Sequence, residues 1–268
     1  MPFSSISSLD DAAIAAALGD SARRFSIRSI AECDSTNSRL MDEAPRPDGR
    51  VAVLVCDRQT AGRGRRGRHW LSAPGASLTF SLRWCFAPDS PAPAGLSLVA
   101  GLAVARALEA AGLEAVQLKW PNDVLAMGRK LAGILVELAV SGETGLHAVI
   151  GVGINLEPPV DAALVDGRAI AAVSEFLSPV PSREQMLAGL LVHFEQMLDT
   201  YGSAGFVAFR GAWEQRNAHA GLPVRVGDEA ASTDGVCLGV DDDGALRLDT
   251  GNGERRVVAG DVSLRPLV

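Results

Sequence analysis

The spacing of apolar and polar residues changes several times along this 268-residue chain, and each change marks an element. An Ala-rich stretch over 10–18 has helical character but is too short to fold alone. From Phe25 the strand-like FSIRSI gives way to Asp34-Ser35, an N-cap pair that predicts a helix running through Met41. A loop with Pro45 and Pro47 leads to the apolar run VAVLVC at 51–56, and a long Gly/Arg loop leads to a second strand, SLTFSLRW, at 77–84. Residues 95–111 are apolar on nearly every side, with Arg106 and Glu109 sharing one face, which predicts a helix backing a sheet. LAGILVELAV (131–140) and LHAVIGVGIN (146–155) read as paired strands across the turn SGETG. Leu187, Leu190, Leu191, Phe194 and Leu198 keep helical spacing against Arg183, Glu184, Glu195 and Asp199.

After Ala220 the period shortens. Val224/Val226, Leu246/Leu248 and Val257/Val258 sit in short alternating stretches separated by the turns VGDE, DDDG and TGNG, which predicts a small closed barrel. The expected class is therefore α+β: a lead-in over 1–24, a mixed α/β sheet domain over 25–220, and a small β domain over 221–268.

Composition narrows the function. At 47% hydrophobic and 21% charged the chain has material for a sizeable core, and its net charge of −7 opposes general binding to nucleic acid or anionic lipid. Any anion site must be a local patch. The start MPFSSISSLDDAA lacks the basic and apolar regions of a signal peptide, and the longest uncharged stretch, between Asp89 and Arg106, is broken by Pro91 and Pro93. Cys33, Cys56, Cys85 and Cys237 form no CxxC pair and lie in apolar runs, so buried thiols in a reducing cytoplasm are expected.

The strongest local patch is the loop from Gln59 to Trp70, with Arg63, Arg65, Arg66 and Arg68 interleaved with three glycines. Gly62 to Gly67 matches GxGxxG, but the fingerprint should open a helix and be followed by an acid about 20 residues on. Here a strand follows, and the next acid is Asp89. A P-loop fails because Arg68-His69 stands where Lys-Ser/Thr belongs, and no HRD or DFG element supports a kinase loop. What survives is a flexible backbone carrying four cations, suited either to clamping an anionic small molecule or to a sequence-tolerant grip on RNA or DNA.

A second patch is KWPND (119–123) followed by Arg129-Lys130. Lys119 and Lys130 are the only lysines against 23 arginines, which hints at chemistry needing a compact ammonium. Asp123 is a candidate Mg²⁺ ligand, since that ion takes one or two carboxylates plus substrate phosphates. Bringing a carboxylate within about 4 Å of a phosphate costs roughly 4 kcal/mol per charge pair at an effective dielectric of 20. Lys130, the loop arginines and a divalent cation are what a carboxylate-adenylating site would use to offset it.

The blocks DSTN (34–37), Gln59 with GRGRRGR-H-W (62–70), KWPND, RKLAGILVE (129–137) and GVGIN (151–155), in this order, closely resemble the biotin–protein ligases. The resemblance runs from about Phe25 to the C-terminus. It implies a class II synthetase-like catalytic domain with an SH3-like C-terminal domain, and a reaction in which biotin and ATP give biotinyl-5′-AMP before the biotinyl group passes to a lysine of a biotin carboxyl carrier domain. It implies biotin contacts from Ser35, Thr36, Asn37, Gln59, Arg63, Gly64, Arg65, Lys130 and Gly133. It also implies ATP contacts from Arg66, Arg68, Trp70, Asn122, Asp123, Lys130 and Asn155, with Lys130, Arg65 and Asp123 carrying catalysis and Asp123 holding Mg²⁺. Taken alone, Ser35 reads equally as a helix cap, Asn155 as a turn former and Trp120 as core. Some family members also repress transcription through an N-terminal winged helix; 24 residues cannot contain one, so DNA binding is not expected. His69 stands where some members have lysine. Both monomers and homodimers occur in the family, and lipoate–protein ligases share its adenylation logic.

Overall fold

A computed structural model of the chain describes residues 9–44, 48–87, 90, 93–141, 145–158, 164–165, 168–227, 232–260 and 263–267. Pro45, Pro47, Asp89, Pro91, the centre of the SGETG turn and the end of the VGDE turn lie outside these residues.

The chain runs α1 (Asp11–Leu18), β1 (Phe25–Cys33), α2 (Thr36–Asp42), β2 (Val51–Gln59), β3 (Ser77–Cys85), α3 (Leu96–Ala110), β4 (Val116–Lys119), β5 (Asp123–Ala126), β6 (Arg129–Ser141) and β7 (Gly145–Asn155). A two-residue ladder, β8 (Leu164–Val165) with β9 (Arg168–Ala169), precedes α4 (Arg183–Ala204) and α5 (Arg210–Glu214). Last come β10 (Pro223–Gly227), β11 (Ser232–Val240), β12 (Leu246–Asp249), β13 (Glu254–Val257) and β14 (Ser263–Pro266).

Seven strands form one mixed sheet in the order β1-β2-β3-β7-β6-β5-β4, parallel only between β1 and β2. One face is covered by α3 and by α4, whose Phe194 meets Phe80 of β3 edge to face, with α1 against α4. The apolar periodicity of α3 is satisfied on all sides: Leu98, Val99, Leu102 and Val104 are each at most 3% exposed, and each such side chain contributes about 1.5–3 kcal/mol of burial. β2 is buried on both faces. Val51, Val53 and Val55 join the main core, whereas Ala52 and Leu54 pack under Leu40 of α2 on the opposite face. That is why VAVLVC reads as a continuous apolar run instead of an alternation. Ser182 and Gln185 form a reciprocal cap at the start of α4.

The expected closed barrel is instead, among the described residues, an open antiparallel sheet in the order β13-β12-β11-β10-β14. Its edge strand β13 is four residues long, largely exposed and charged, with Glu254 held by Arg247 of β12 and Arg255 bonded to Thr233. This sheet sits against the start of α3. Gly95 there is left-handed at φ 69°, and Gly244 packs so closely that its own Cβ would lie 2.9 Å from the Gly95 Cα. Buried Trp120 donates its indole N–H to the carbonyl of Gly244 at 3.1 Å, pinning the two sheets together.

Cys33, Cys56 and Cys237 are buried thiols, but Cys85 ends β3 with its side chain exposed, a departure from the reading of all four as buried. Among the described residues no helix is long and apolar enough to cross a membrane.

Candidate active site

The face of the large sheet opposite α3 and α4 carries the site, and the strand register explains why. On β3 the polar residues Ser77, Thr79 and Ser81 alternate with the core residues Leu78, Phe80 and Leu82. Ser81 is paired with Gly151, and Gly151 with Leu135; Thr79 is paired with Gly153, Gly153 with Gly133, and Gly133 with Asp123. The glycines leave a floor without side chains. Onto it settle two groups from outside the sheet: Asn37 above Gly151, and the Trp70 indole above Gly153 and Gly133. A Cβ at either Gly151 or Gly153 would run into them.

Lys130 reaches this face through a β-bulge. The register shift between Val124 and Leu125 pairs Leu125 with Lys130, leaving Leu131 as the extra residue. Without it, Lys130 would point with Ala132 and Ile134 toward the core. As built, its ammonium crosses Gly133 to lie 2.7 Å from Asp123 Oδ1 and 5.8 Å from the centre of the Trp70 ring.

At one end of the pocket is a nearly neutral polar cluster. Gln59 Oε1 accepts from the Thr36 amide at 2.7 Å and from the Thr36 hydroxyl at 3.2 Å. Ser81 Oγ donates to Asn37 Oδ1 at 2.6 Å and lies 2.7 Å from Thr36 Oγ1. Asn37 Nδ2 donates to the Leu135 carbonyl and, at 2.9 Å, to Glu137 Oε2. Ser35 caps α2, its Oγ facing the Ser38 amide at 3.5 Å, while still lining the pocket.

At the other end the arginine loop folds over the opening as a tight hairpin. The Gly64 amide donates to the Arg68 carbonyl at 2.7 Å and the Trp70 amide to the Gly62 carbonyl at 2.9 Å, with Arg66 left-handed at φ 62° between them. Arg63 is bound to Glu137. Arg65 donates to Asn122 Oδ1 at 3.2 Å and to the carbonyl of Gly260, so the loop spans to the C-terminal domain. Arg66 and Arg68 face Arg225 and Arg265 of β10 and β14 across a second, cationic cleft.

Ser35, Thr36, Asn37, Gln59, Arg63, Gly64, Arg65, Arg66, Arg68, Trp70, Asn122, Asp123, Lys130, Gly133 and Asn155 all line the one pocket. The side-chain amides of Asn122 and Asn155 are held by backbone carbonyls. Asn122 donates to the Ile134 carbonyl at 2.8 Å, and Asn155 to the carbonyls of Lys130 and Ala171 at 3.3 and 3.1 Å. Among the described residues no group of three His, Cys, Asp or Glu is placed to hold an ion, and the Asp123 carboxylate lies against the Lys130 ammonium. Sequence reasoning missed Ser81, Glu137, and Ser263 and Leu264 of the C-terminal sheet. The alternation of SLTFSLRW signals the first; the contacts of the others are set by long-range packing.

The chain matches the biotin/lipoate A/B protein ligase family over residues 32–155 and the biotin protein ligase C-terminal domain over 219–265. It is 39% identical over 241 residues to a biotin–[acetyl-CoA-carboxylase] ligase of Paracoccus denitrificans, covering 87% of this chain and 98% of that one. To the bifunctional ligase/repressor BirA of Escherichia coli it is 35% identical over 237 residues, covering 87% of this chain and 72% of that protein. The structure of a biotin protein ligase from Aquifex aeolicus in complex with biotin and ATP is similar with a TM-score of 0.77 at 30% identity, covering 90% of this chain and 99% of that one. Together with the mixed sheet and its appended antiparallel sheet, these likenesses establish that the chain is a ligase belonging to the biotin–protein ligase family.

Proposed function

We propose that this enzyme activates biotin with ATP and transfers it to a lysine of a biotin carboxyl carrier domain, the partner suggested by the acetyl-CoA-carboxylase ligases it resembles. The observation that carries the reading is one pocket with two chemically different ends. Thr36 and Gln59 with their neighbours supply neutral donors and acceptors suited to a ureido ring; Lys130 and the arginine loop supply cations for a carboxylate and a triphosphate. Gly133 and Gly153 let the Trp70 indole and the Lys130 ammonium lie directly on the sheet between the two ends.

In the first step a carboxylate oxygen of biotin attacks the α-phosphorus of ATP, and pyrophosphate leaves with the bonding pair. Lys130 lies where it can contact both anions, and Arg66 and Arg68 meet the outer phosphates. Trp70 covers the nucleotide, flanked by Asn122 and Asn155. Mg²⁺ belongs to this scheme as part of the nucleotide substrate. In the second step the carrier amine attacks the acyl carbon, AMP departs, and the amine proton goes to solvent. A mixed anhydride is already activated, so the enzyme need only retain it and exclude water. Arg65, bound to Asn122 and Gly260, supports such retention by tying the loop to both domains. The ligase domain is taken as 25–220 and the C-terminal domain as 221–268, acting in the cytoplasm.

The test is exchange of radiolabelled pyrophosphate into ATP with biotin, with lipoate as the control acid, in wild type and Lys130→Ala. Exchange with biotin alone, lost in the variant, is expected. No exchange with either acid would overturn the proposal, and exchange with lipoate alone would reassign the substrate.

A further inference from the structure

Glu137 touches two residues that line the pocket and that the reaction scheme treats separately. Its Oε2 accepts from Asn37 Nδ2 at 2.9 Å and binds the Arg63 guanidinium. Among the described residues several arginine–carboxylate pairs are local or cross-strand, such as Arg225–Asp234 and Arg247–Glu254, and exposed pairs of that kind contribute little, whereas a smaller set, including Arg183–Asp57 and Arg216–Glu109, ties distant segments together. Arg63 and Glu137 are 74 residues apart and join a loop to the central sheet. Glu137 has a second anchor besides the arginine. Asn37 is itself fixed by the Leu135 carbonyl and by Ser81, and Ser81 in turn lies 2.7 Å from Thr36 Oγ1.

We infer that Glu137 is a positioning residue: oriented by Asn37, it latches the arginine loop over the pocket through Arg63, so that loop closure and the geometry of the Thr36 end are set together. The hairpin bonds of the loop transmit the hold, because Arg63 is bridged to His69 next to Trp70. Fixing Arg63 therefore fixes the residue that lies on the glycine floor. The charge-assisted bonds to one carboxylate oxygen make its removal worth about tenfold in the closed-to-open ratio. The inference rests on the biotin-ligase reading for the identity of what the loop retains, but the latch itself does not depend on it.

Two measurements on the full-length enzyme separate these questions. The loop offers trypsin several arginines, so cleavage there reports opening without any ligand. Glu137→Ala is expected to raise the ligand-free cleavage rate about tenfold. Glu137→Gln, whose amide oxygen still accepts from Asn37, is expected to fall between it and wild type. An unchanged rate in both variants would overturn the latch whatever the substrate proves to be.

The second measurement is the rate at which radiolabelled adenylate, formed from biotin and ATP, leaves the enzyme. Glu137→Ala and Arg63→Ala should each speed release about tenfold, and the double variant should be no worse than either, because both singles remove one interaction. Multiplying effects in the double variant would overturn the pairing. If Glu137→Ala is poorly folded by its thermal midpoint, Glu137→Gln takes its place in both assays. If wild type forms no adenylate with biotin, the functional reading fails, and the trypsin comparison still decides the latch.

Discussion

Nζ of Lys130 lies 2.7 Å from Oδ1 of Asp123, with the Asp123 side chain 8% exposed and that of Lys130 24%. The pair exists because a bulge in β6 turns Lys130 onto the face where Asp123 begins β5. In this setting the carboxylate holds the ammonium over Gly133, close to where the reacting groups would meet.

Removing one partner of a largely buried pair strands the other, which gives the first prediction. Asp123→Asn is expected to reduce biotin-dependent pyrophosphate exchange at saturating substrate by at least about tenfold, with stability falling by about 1–3 kcal/mol. Lys130→Arg should fail to restore Lys130→Ala. A Cβ at Gly133 would lie 3.1 Å from Lys130 Nζ and 3.2 Å from the Trp70 ring, so a planar guanidinium lacks the space an ammonium uses. Full exchange activity in Asp123→Asn would show that Asp123 does not aim the lysine.

Gly153 offers a steric test. Its missing side chain makes room for the Trp70 indole, whose ring N–H is buried there without a hydrogen-bond partner. Gly153→Ala places a methyl inside the ring, and because the backbone of a central strand cannot yield, the indole must lift. The expected result is a rise of about tenfold in the KM for biotin or ATP, accompanied by a red shift in tryptophan emission that is absent when Trp70→Phe is combined with it. Unchanged KM and emission would mean that Trp70 contributes neither cover nor packing.

These relationships were unequally legible in the sequence. The longer helices announced themselves through apolar spacing, as at Leu187 to Leu198, and α2 through its cap at Ser35, because those signals act within one turn. The arginine loop and KWPND stood out by composition and the residues of DSTN only through the family resemblance, and the structure brings them together. The two-faced character of β3 was available in the alternation of Ser77, Thr79 and Ser81 with Leu78, Phe80 and Leu82, though its polar face was overlooked. The bulge before Lys130 was not legible. Nothing local distinguishes Leu131 as an extra residue, since the shift depends on which strand pairs beside it. The open edge between β13 and β14 was equally hidden, as alternation reveals strands but not whether a small sheet closes.

His219 supplies a prediction about stability instead of catalysis. It is 7% exposed, its Nδ1 has no hydrogen-bond partner, and its pKa is pushed down from 6.5 to about 4, first by burial and then by the charge of Lys119. The folded chain thus resists a proton that the unfolded chain accepts. Above about pH 6.5 neither state is protonated and the residue has no pH-dependent effect. As the pH falls from 6.5 toward 4 the unfolded state gains protons first, so stability drops, by at most about 1.4 kcal/mol per pH unit from this group. His219→Gln remains neutral throughout and should flatten that limb. Urea unfolding at pH 7.5, 6 and 5 would measure it, and parallel declines in the two proteins would assign the acid sensitivity to other groups.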